Sequence, residues 1–279
     1  MADPLPADWP GAWSPDWAAP PQVVARMSTR LGGHSAPPCD SLNFKLSPGL
    51  APAQAAAETL AVQANRARWA QALDAQPVWL DQVHGSLVQR LDGRLLQALA
   101  AGAAAPVADA AITTEPGIAC TVMVADCLPV LLCTRDGRAV GAAHAGWRGL
   151  AGGVLEATAT ALCEAAGVGP DQLLAWLGPC IGPQAFEVGP EVLQAFGAEP
   201  LEVCTDPAFV ARRDGQGRLR WLADLPALAR RRLQAAGLGA VDGGRWCTVS
   251  DPLRWHSYRR DHAAGPTGRL AASIAIRPL

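Results

Sequence analysis

Three apolar segments follow one another in the middle of the chain, separated only by short turns. They cover residues 118–125, 128–134 and 139–143, and the Arg-Asp-Gly-Arg sequence at 135–138 is typical of a hairpin turn. Each segment is apolar along nearly its whole length, whereas a strand with one solvated face alternates apolar and polar residues. The pattern therefore predicts an α/β protein whose sheets are covered on both faces.

Further elements are predicted on both sides of these segments. Short apolar runs predict strands over residues 23–27, 77–80, 108–114, 173–177, 219–222 and 270–276. Apolar residues at helical spacing predict helices over residues 52–73, 147–166, 190–196 and 225–236. Residues 1–22 hold six prolines and three tryptophans and are predicted to form an N-terminal arm. No linker or repeat follows, so residues 23–279 are interpreted as one α/β (α+β) domain.

The composition argues against several classes of protein. The net charge is −2 and only 17% of residues are charged, so there is no sign of the basic surface that nucleic-acid binding requires. No stretch reaches the roughly 18 consecutive apolar residues of a membrane-spanning helix, and the N-terminus does not resemble a secretory signal. We therefore expect a cytoplasmic protein with reduced cysteines and without a nucleic-acid or membrane partner. The oligomeric state is left open.

Histidine and cysteine side chains stand where apolar strands give way to turns. His84 follows the strand predicted at 77–80, Cys127 lies next to Asp126 between two apolar runs, and His144 follows the third run. Residues at the ends of neighbouring strands can converge in the fold. A catalytic zinc site commonly takes three ligands from histidine, cysteine and carboxylate side chains and leaves a fourth position open. The residues therefore suggest a metal site.

Two other interpretations of these residues stay open at this point, because their wide separation matches no local zinc-binding spacing. Without a metal, Cys127 could act as a nucleophile with His144 or His84 as its base. All three side chains could also be purely structural. A bound zinc ion would keep the thiol deprotonated and lower the pKa of a coordinated water to about 7.

Five short motifs carry a resemblance to a known family. They are Asp81-Gln82-Val83-His84-Gly85, Ala125-Asp126-Cys127-Leu128-Pro129-Val130, His144-Ala145-Gly146-Trp147-Arg148-Gly149, Leu177-Gly178-Pro179-Cys180-Ile181-Gly182-Pro183 and Ser257-Tyr258-Arg259-Arg260-Asp261. Together they strongly resemble the YfiH family, over roughly residues 23–278. Members of that family have been called laccase-domain or multicopper polyphenol oxidases and, more recently, purine nucleoside phosphorylases.

The resemblance implies a fold, a metal and an activity. The fold is a single-domain, four-layer α-β-β-α sandwich with mixed sheets, and the metal is Zn²⁺ held by the residues matching His84, Cys127 and His144. The activity is phosphorolysis of adenosine, inosine and 5′-methylthioadenosine, together with adenosine deamination. Purine nucleosides and phosphate are the expected small-molecule partners. Asp126 is expected either to move protons or to orient a ligand histidine.

Arginines are the side chains best suited to hold the phosphate, because they make paired hydrogen bonds to it. Arg66 is the first candidate, carried over from the Asn-Arg pair on the family's helix, with Arg30 and Arg148 behind it. Ser41 and Asn43 could hydrogen-bond phosphate, sugar or base.

Three alternative functions stay open. Some family members resemble amidases that remove a wrongly incorporated amino acid from a muramic-acid cell-wall precursor, which a Cys–His pair or a zinc ion would serve equally well. A copper polyphenol oxidase needs a mononuclear copper and a three-copper cluster, and the five histidines of this chain are too few for both, so Cu²⁺ is expected only as a substitute for zinc. The third alternative is a non-catalytic protein that binds a metal with the same ligands.

Overall fold

Two large β-sheets packed face to face form the centre of the computed structural model, which describes residues 10–46 and 49–278. The strands are β1 (Ala12–Trp13), β2 (Val23–Ser28), β3 (Gln76–Trp79), β4 (Val88–Arg90), β5 (Ala110–Thr113), β6 (Ile118–Val124), β7 (Leu128–Thr134), β8 (Val140–Ala145), β9 (Leu173–Leu177), β10 (Glu187–Val188), β11 (Phe209–Arg213), β12 (Leu219–Ala223), β13 (Ala240–Gly243) and β14 (Leu270–Ile276). The helices are α1 (Pro52–Leu73), α2 (Gly93–Ala100), α3 (Trp147–Ala151), α4 (Val154–Ala166), α5 (Pro190–Ala195), α6 (Leu225–Ala235) and α7 (Tyr258–Asp261). None of these helices is long and apolar enough to span a bilayer.

Both large sheets are mixed. One has the strand order β1-β2-β14-β6-β3, in which only the β6–β3 pair is parallel. The other has the order β13-β9-β7-β8-β5-β4, with parallel pairs at its two edges. A third, three-stranded sheet of order β10-β12-β11 is not anticipated from the sequence pattern.

Helices cover the outer faces of the two sheets. On α1, Trp69 and Leu73 pack on the five-stranded sheet, and on α4 and α6, Leu162 and Leu228 pack on the six-stranded one. The central strands are apolar throughout because alternate residues enter different cores. On β7, for example, Leu131 faces the other sheet while its neighbours Val130 and Leu132 face the helices. The predicted four-layer α-β-β-α sandwich is confirmed.

The helix predicted over residues 147–166 is wrong in one respect, because the structure divides it into α3 and α4. Gly152 and Gly153 lie between the two, and Gly153 has φ +90°, a conformation that a helix cannot contain. The break lets α3 start directly at the end of β8 while α4 runs back across the sheet.

The arm predicted for residues 1–22 is described only from residue 10, so Trp9 lies outside the described residues. Within the described part, β1 pairs with β2, and Trp13 packs edge-on against Trp176 and Trp246. Its ring adds to the apolar core between the two sheets.

Because Trp13 is only 8% exposed, we expect Trp13→Ala to lower the free energy of unfolding by about 3–5 kcal/mol, the usual cost of emptying a buried aromatic site. Urea denaturation followed by circular dichroism measures the change. Trp17→Ala, at a half-buried position of the same segment, is the matched control. Equal effects of the two substitutions would contradict a core role for Trp13.

Candidate metal centre

Strand pairing brings three chain segments that are distant in sequence together where the central strands of the six-stranded sheet end. His144 lies opposite Pro129 in the β7–β8 register, so Cys127, two residues earlier than Pro129, sits beside the end of β8. The β5–β8 pairing places Ala110 opposite Ala143, and Asp109 therefore lies next to His144. Backbone hydrogen bonding confirms the proximity, since the N–H of His144 donates to the carbonyl of Asp109 at 2.7 Å.

The side chains of His84, Cys127 and His144 converge at these strand ends. One ligand atom from each lies within 4.8 Å of the other two, and Nε2 of His84 is 3.7 Å from Sγ of Cys127. His144 is buried, Cys127 is half-buried and His84 is exposed, so the cluster opens to solvent on one side. Catalytic metal sites typically have three protein ligands and a fourth position that is open to solvent or substrate.

The donors fit Zn²⁺ in type, and the distance between two of them fits a tetrahedral ion. With bonds of about 2.0–2.1 Å to nitrogen and about 2.3 Å to sulfur, a tetrahedral ion separates the two atoms by about 3.6 Å. The observed 3.7 Å between His84 and Cys127 agrees with that value. A Cβ on Gly146 would come within 2.9 Å of the His84 ring and 3.0 Å of Cys127 Sγ, so only glycine leaves room for these two side chains.

Asp109 organises two of the three ligands without belonging to the cluster. Its carboxylate is fully buried and accepts hydrogen bonds from the backbone N–H groups of Val83, His84 and Gly85 at 3.2, 2.9 and 2.6 Å. It also accepts a hydrogen bond from Nδ1 of His144 at 2.8 Å. A carboxylate acceptor fixes the proton of His144 on Nδ1, and Nε2 is left as the ligand atom.

The electrostatics of the cluster favour a thiolate at neutral pH. Burial by itself raises the pKa of the Cys127 thiol, but the charge of His144 and hydrogen bonds from both histidines outweigh burial and lower it to about 6. Burial by itself lowers the pKa of His144, but Cys127 and Asp109 raise it to about 9. For Asp109, hydrogen bonds from His144 and the 83–85 loop outweigh burial and lower the pKa of the carboxyl group. The protein therefore prepares the thiolate that a metal requires.

A pocket of about 460 Å³ lies above the cluster, within the range of small-molecule sites. Besides the three ligands, its walls are formed by Lys45, Leu46, Gln82, Met123, Val124, Ala125, Tyr258 and Arg269. Lys45 and Arg269 give the pocket two cations, and no carboxylate lines it among the described residues. The pocket therefore suits an anion.

The polar residues predicted to contact phosphate or substrate lie outside the walls of this pocket. Ser41 and Arg30 are tied to each other, because Ser41 donates through its backbone N–H and its hydroxyl to the Arg30 carbonyl. The guanidinium of Arg30 donates to the carbonyls of Asp40 and Pro252. Arg148 is exposed and lies over the ring of Trp147 at 4.3 Å.

Asn43 is fully buried and fixes the backbone of the two residues that carry the cations of the pocket. Its Oδ1 accepts from the backbone N–H groups of Lys45 at 3.2 Å and Arg269 at 2.8 Å. Its Nδ2 donates to Glu58 of α1 at 2.6 Å. Arg66, the first phosphate candidate, donates to the carbonyl of Phe44 and lines a different cleft.

One of the two roles expected of Asp126, the hydrogen bond to a ligand histidine, belongs instead to Asp109. The Asp126 carboxylate accepts from Thr248 Oγ1 at 2.5 Å and from the backbone N–H of Arg259 at 2.6 Å. These contacts tie the β6–β7 turn to the C-terminal segment that carries Tyr258. Asp126 therefore holds two lining segments of the pocket together without lining it itself.

Sequence reasoning misses Asp109, Arg269 and Tyr258 as functional residues. A buried charge at the start of an apolar strand is a signal that could have pointed to Asp109. Arg269 follows Gly268 directly before β14, and Tyr258 lies in one of the five family motifs, but nothing in the local pattern shows that these residues meet.

A thiol and two imidazoles beside a cationic pocket, on a four-layer α-β-β-α sandwich, define a protein with a candidate metal centre. The chain belongs to the family described as multi-copper polyphenol oxidoreductase laccase, whose model matches residues 24–277. The family resemblance seen in the five motifs is thereby confirmed.

Individual proteins similar to this chain are named for a different activity from the one in the family description. The chain is 48% identical to "Purine nucleoside phosphorylase PA4543" of Pseudomonas aeruginosa, over 95% of this chain and 99% of that protein. It is 44% identical to "Purine nucleoside phosphorylase YfiH" of Escherichia coli, over 93% and 96% of the two chains. Among solved structures, Neisseria meningitidis protein NMB0706 has 40% identity and a TM-score of 0.79, over 96% of this chain and 100% of that one.

We expect Asp109→Asn to weaken zinc binding by about 10–100-fold, the usual effect of losing the partner that orients a metal-bound histidine. Competition with a chromophoric chelator measures the dissociation constant. Asp136→Asn, at a turn at the opposite end of β7 and β8, serves as the control. Unchanged zinc affinity in Asp109→Asn would show that the loop and His144 hold their positions without this carboxylate.

In chelator-treated protein, we expect alkylation of Cys127 by iodoacetamide to rise with pH around a midpoint of about 6, because the thiolate is the reactive form. Peptide mass spectrometry follows the modification. In Asp109→Asn the midpoint moves upward, since a less basic His144 stabilises the thiolate less. A wild-type midpoint above pH 8 would contradict the thiolate–imidazolium pair.

Proposed function

We propose that this chain is a zinc-dependent purine nucleoside phosphorylase that acts on adenosine, inosine and 5′-methylthioadenosine and also deaminates adenosine. The observation that carries the proposal is the cluster of His84, Cys127 and His144 at the base of a pocket that presents two cations. The names of similar proteins support the substrate class. Cu²⁺ would be accepted as a substitute, because imidazole and thiolate also suit copper.

Multicopper oxidase chemistry has less support, because none of the other histidines belongs to the cluster. His256 is buried and its Nε2 lies 3.3 Å from the Leu42 carbonyl, while His262 stacks on the ring of Tyr258. His34 lines a separate cleft. One site with two histidines and one cysteine does not supply the ligands of a three-copper cluster.

Lys45 and Arg269 are the residues we assign to phosphate. Both line the pocket, and both have their backbones fixed by Asn43. Burial is the main cause that lowers the pKa of Arg269, yet a guanidinium stays protonated at neutral pH. Lys45 Nζ also lies 4.0 Å from a carboxylate oxygen of Asp81 in an exposed ion pair. Two cations in one pocket suit a phosphate dianion, and the planar arginine can donate two hydrogen bonds to it.

In phosphorolysis, a phosphate oxygen forms a bond to the anomeric carbon of the ribose while the bond from that carbon to the purine nitrogen breaks. The nitrogen takes up a proton and the phosphate gives one up, so no net proton is required. When bound, the zinc ion supplies a Lewis acid at the base of the pocket. Lys45 and Arg269 hold the phosphate for attack. The exposed ring of Tyr258 and the apolar side chains of Leu46 and Met123 give the flat base surfaces to lie against.

Deamination replaces the amino group at purine C6 by oxygen from water and releases ammonia. In the same pocket it requires the base, in place of the sugar, to point toward the His84–Cys127–His144 cluster. We assign Asp126 a supporting role behind the pocket and not proton transfer, because its carboxylate is engaged by Thr248 and Arg259 and it does not line the pocket.

One observation favours the amidase as a second candidate. Asp109, His144 and Cys127 follow one another as carboxylate, imidazole and thiol, and the pKa of the thiol is lowered to about 6. That order is the one found in cysteine hydrolases, where the histidine activates the thiol and the carboxylate orients the histidine. The substrate turned over separates the two candidates, and amidase activity that survives chelation would assign the reaction to the Cys–His pair without a metal.

We expect the zinc-loaded protein to convert adenosine and phosphate to adenine and ribose 1-phosphate, measured by chromatography of the products. Cys127→Ala is expected to abolish turnover. Arg269→Met is expected to raise the KM for phosphate by at least about tenfold, because a charge-assisted hydrogen bond contributes about 1.5–3 kcal/mol.

Arg138→Met is the control for the loss of an arginine, because Arg138 lies at the β7–β8 turn, at the far end of the strands that carry the site. Arg138→Met should leave the turnover number and the KM for phosphate unchanged. A protein that binds zinc, leaves adenosine intact and releases an amino acid from a muramyl precursor would overturn the phosphorylase in favour of the amidase.

A further inference from the structure

A second cleft, of about 540 Å³, lies between α1, β3 and α2. We call it the α1–α2 cleft. Arg66 of α1 and Trp79 of β3 line it together with Leu96 and Leu99 of α2, and Ala103 lines it from the segment that follows α2. Its size is within the range of small-molecule sites, and it shares no lining residue with the metal pocket.

Arg66 brings a positive charge into this cleft without a matching negative one. Its Nε and Nη2 donate to the carbonyl of Phe44 at 2.9 and 2.7 Å, and the guanidinium lies 4.3 Å from the ring centre of Trp79. Nη1 makes no hydrogen bond to the described residues, and no carboxylate of theirs forms an ion pair with Arg66. Burial lowers the pKa of Arg66 to about 10, which still leaves it charged at neutral pH.

The rest of the cleft is mainly apolar and partly open. Leu96 and Leu99 are only half-buried, Ala103 is exposed, and α2 contains no fully buried residue. Apolar surface left beside an unpaired cation is a suitable environment for a ligand with an apolar body and a negative group. Trp79 also lines the cleft, so a flat ring bound there would have an aromatic side chain beside it as well as the two leucines.

We propose that the α1–α2 cleft is a binding site for a small aromatic anion, whose negative group pairs with Nη1 of Arg66 and whose ring lies against Leu96 and Leu99. Carboxylate, sulfonate and phosphate groups share the required chemistry, because each offers oxygen acceptors to a guanidinium. The site needs neither the metal nor a nucleoside, so it stands independently of the proposed function.

Two fluorescent probes that differ only in charge test the proposal. 1-Anilinonaphthalene-8-sulfonate carries a sulfonate, and N-phenyl-1-naphthylamine is the same ring system without it. With the folded full-length protein, we expect saturable binding of the sulfonate at one site and at least tenfold weaker binding of the neutral probe. Equal affinity for the two probes would overturn the role of Arg66.

Two substitutions locate the bound probe. Arg66→Met keeps an unbranched apolar side chain near Trp79 and removes the charge, while Ala103→Trp fills the cleft and leaves Arg66 in place. Each is expected to weaken binding of the sulfonate at least tenfold, with circular dichroism confirming the fold. Ala101→Trp is the matched control, because Ala101 is exposed but does not line the cleft.

Ala103→Trp decides the question if Arg66→Met fails to fold. Wild-type affinity in a folded Ala103→Trp protein would place the probe elsewhere and overturn the proposal. So would a loss of affinity of the same size in Ala101→Trp.

Discussion

The buried carboxylate of Asp109 is the interaction on which the candidate metal centre depends. A fully buried charge is unfavourable unless it is neutralised by hydrogen bonds, and Asp109 accepts them from three successive backbone N–H groups and from His144. Because the three N–H groups belong to residues 83–85, the carboxylate also sets the conformation of that loop, in which His84 has φ +63°. One residue outside the cluster thus positions two ligands, His84 in a loop and His144 on β8.

The pocket above the metal centre is assembled on the same principle, with buried polar side chains joining segments that are far apart in sequence. Asn43 connects Lys45, Arg269 and α1, while Asp126 connects the β6–β7 turn to the segment carrying Tyr258. Each contact satisfies polar groups that burial would otherwise leave unpaired. The two sheets form a rigid scaffold, and these few hydrogen bonds place the functional groups at the ends of its central strands.

Much of the fold could be predicted from the sequence, because the dominant signal is apolar periodicity. The bounds predicted for β7, β9 and α1 agree with the structure, whereas α2 and β13 are missed because α2 is short and buries none of its residues and β13 is only partly buried. The three candidate ligands could be singled out because each ends an apolar strand. Arg269 could not, since only the packing of β14 beside β6 brings it to the pocket. Arg66 is carried over from the family pattern alone, and the structure turns it toward another cleft.

The most direct test of a single metal centre held by His84, Cys127 and His144 is X-ray absorption spectroscopy at the zinc edge, on protein loaded with one equivalent of Zn²⁺. We expect one sulfur at about 2.3 Å and two imidazole nitrogens at about 2.0–2.1 Å, with a fourth ligand through oxygen or nitrogen. A coordination shell of nitrogen and oxygen ligands only, without sulfur, would contradict a metal centre that includes Cys127.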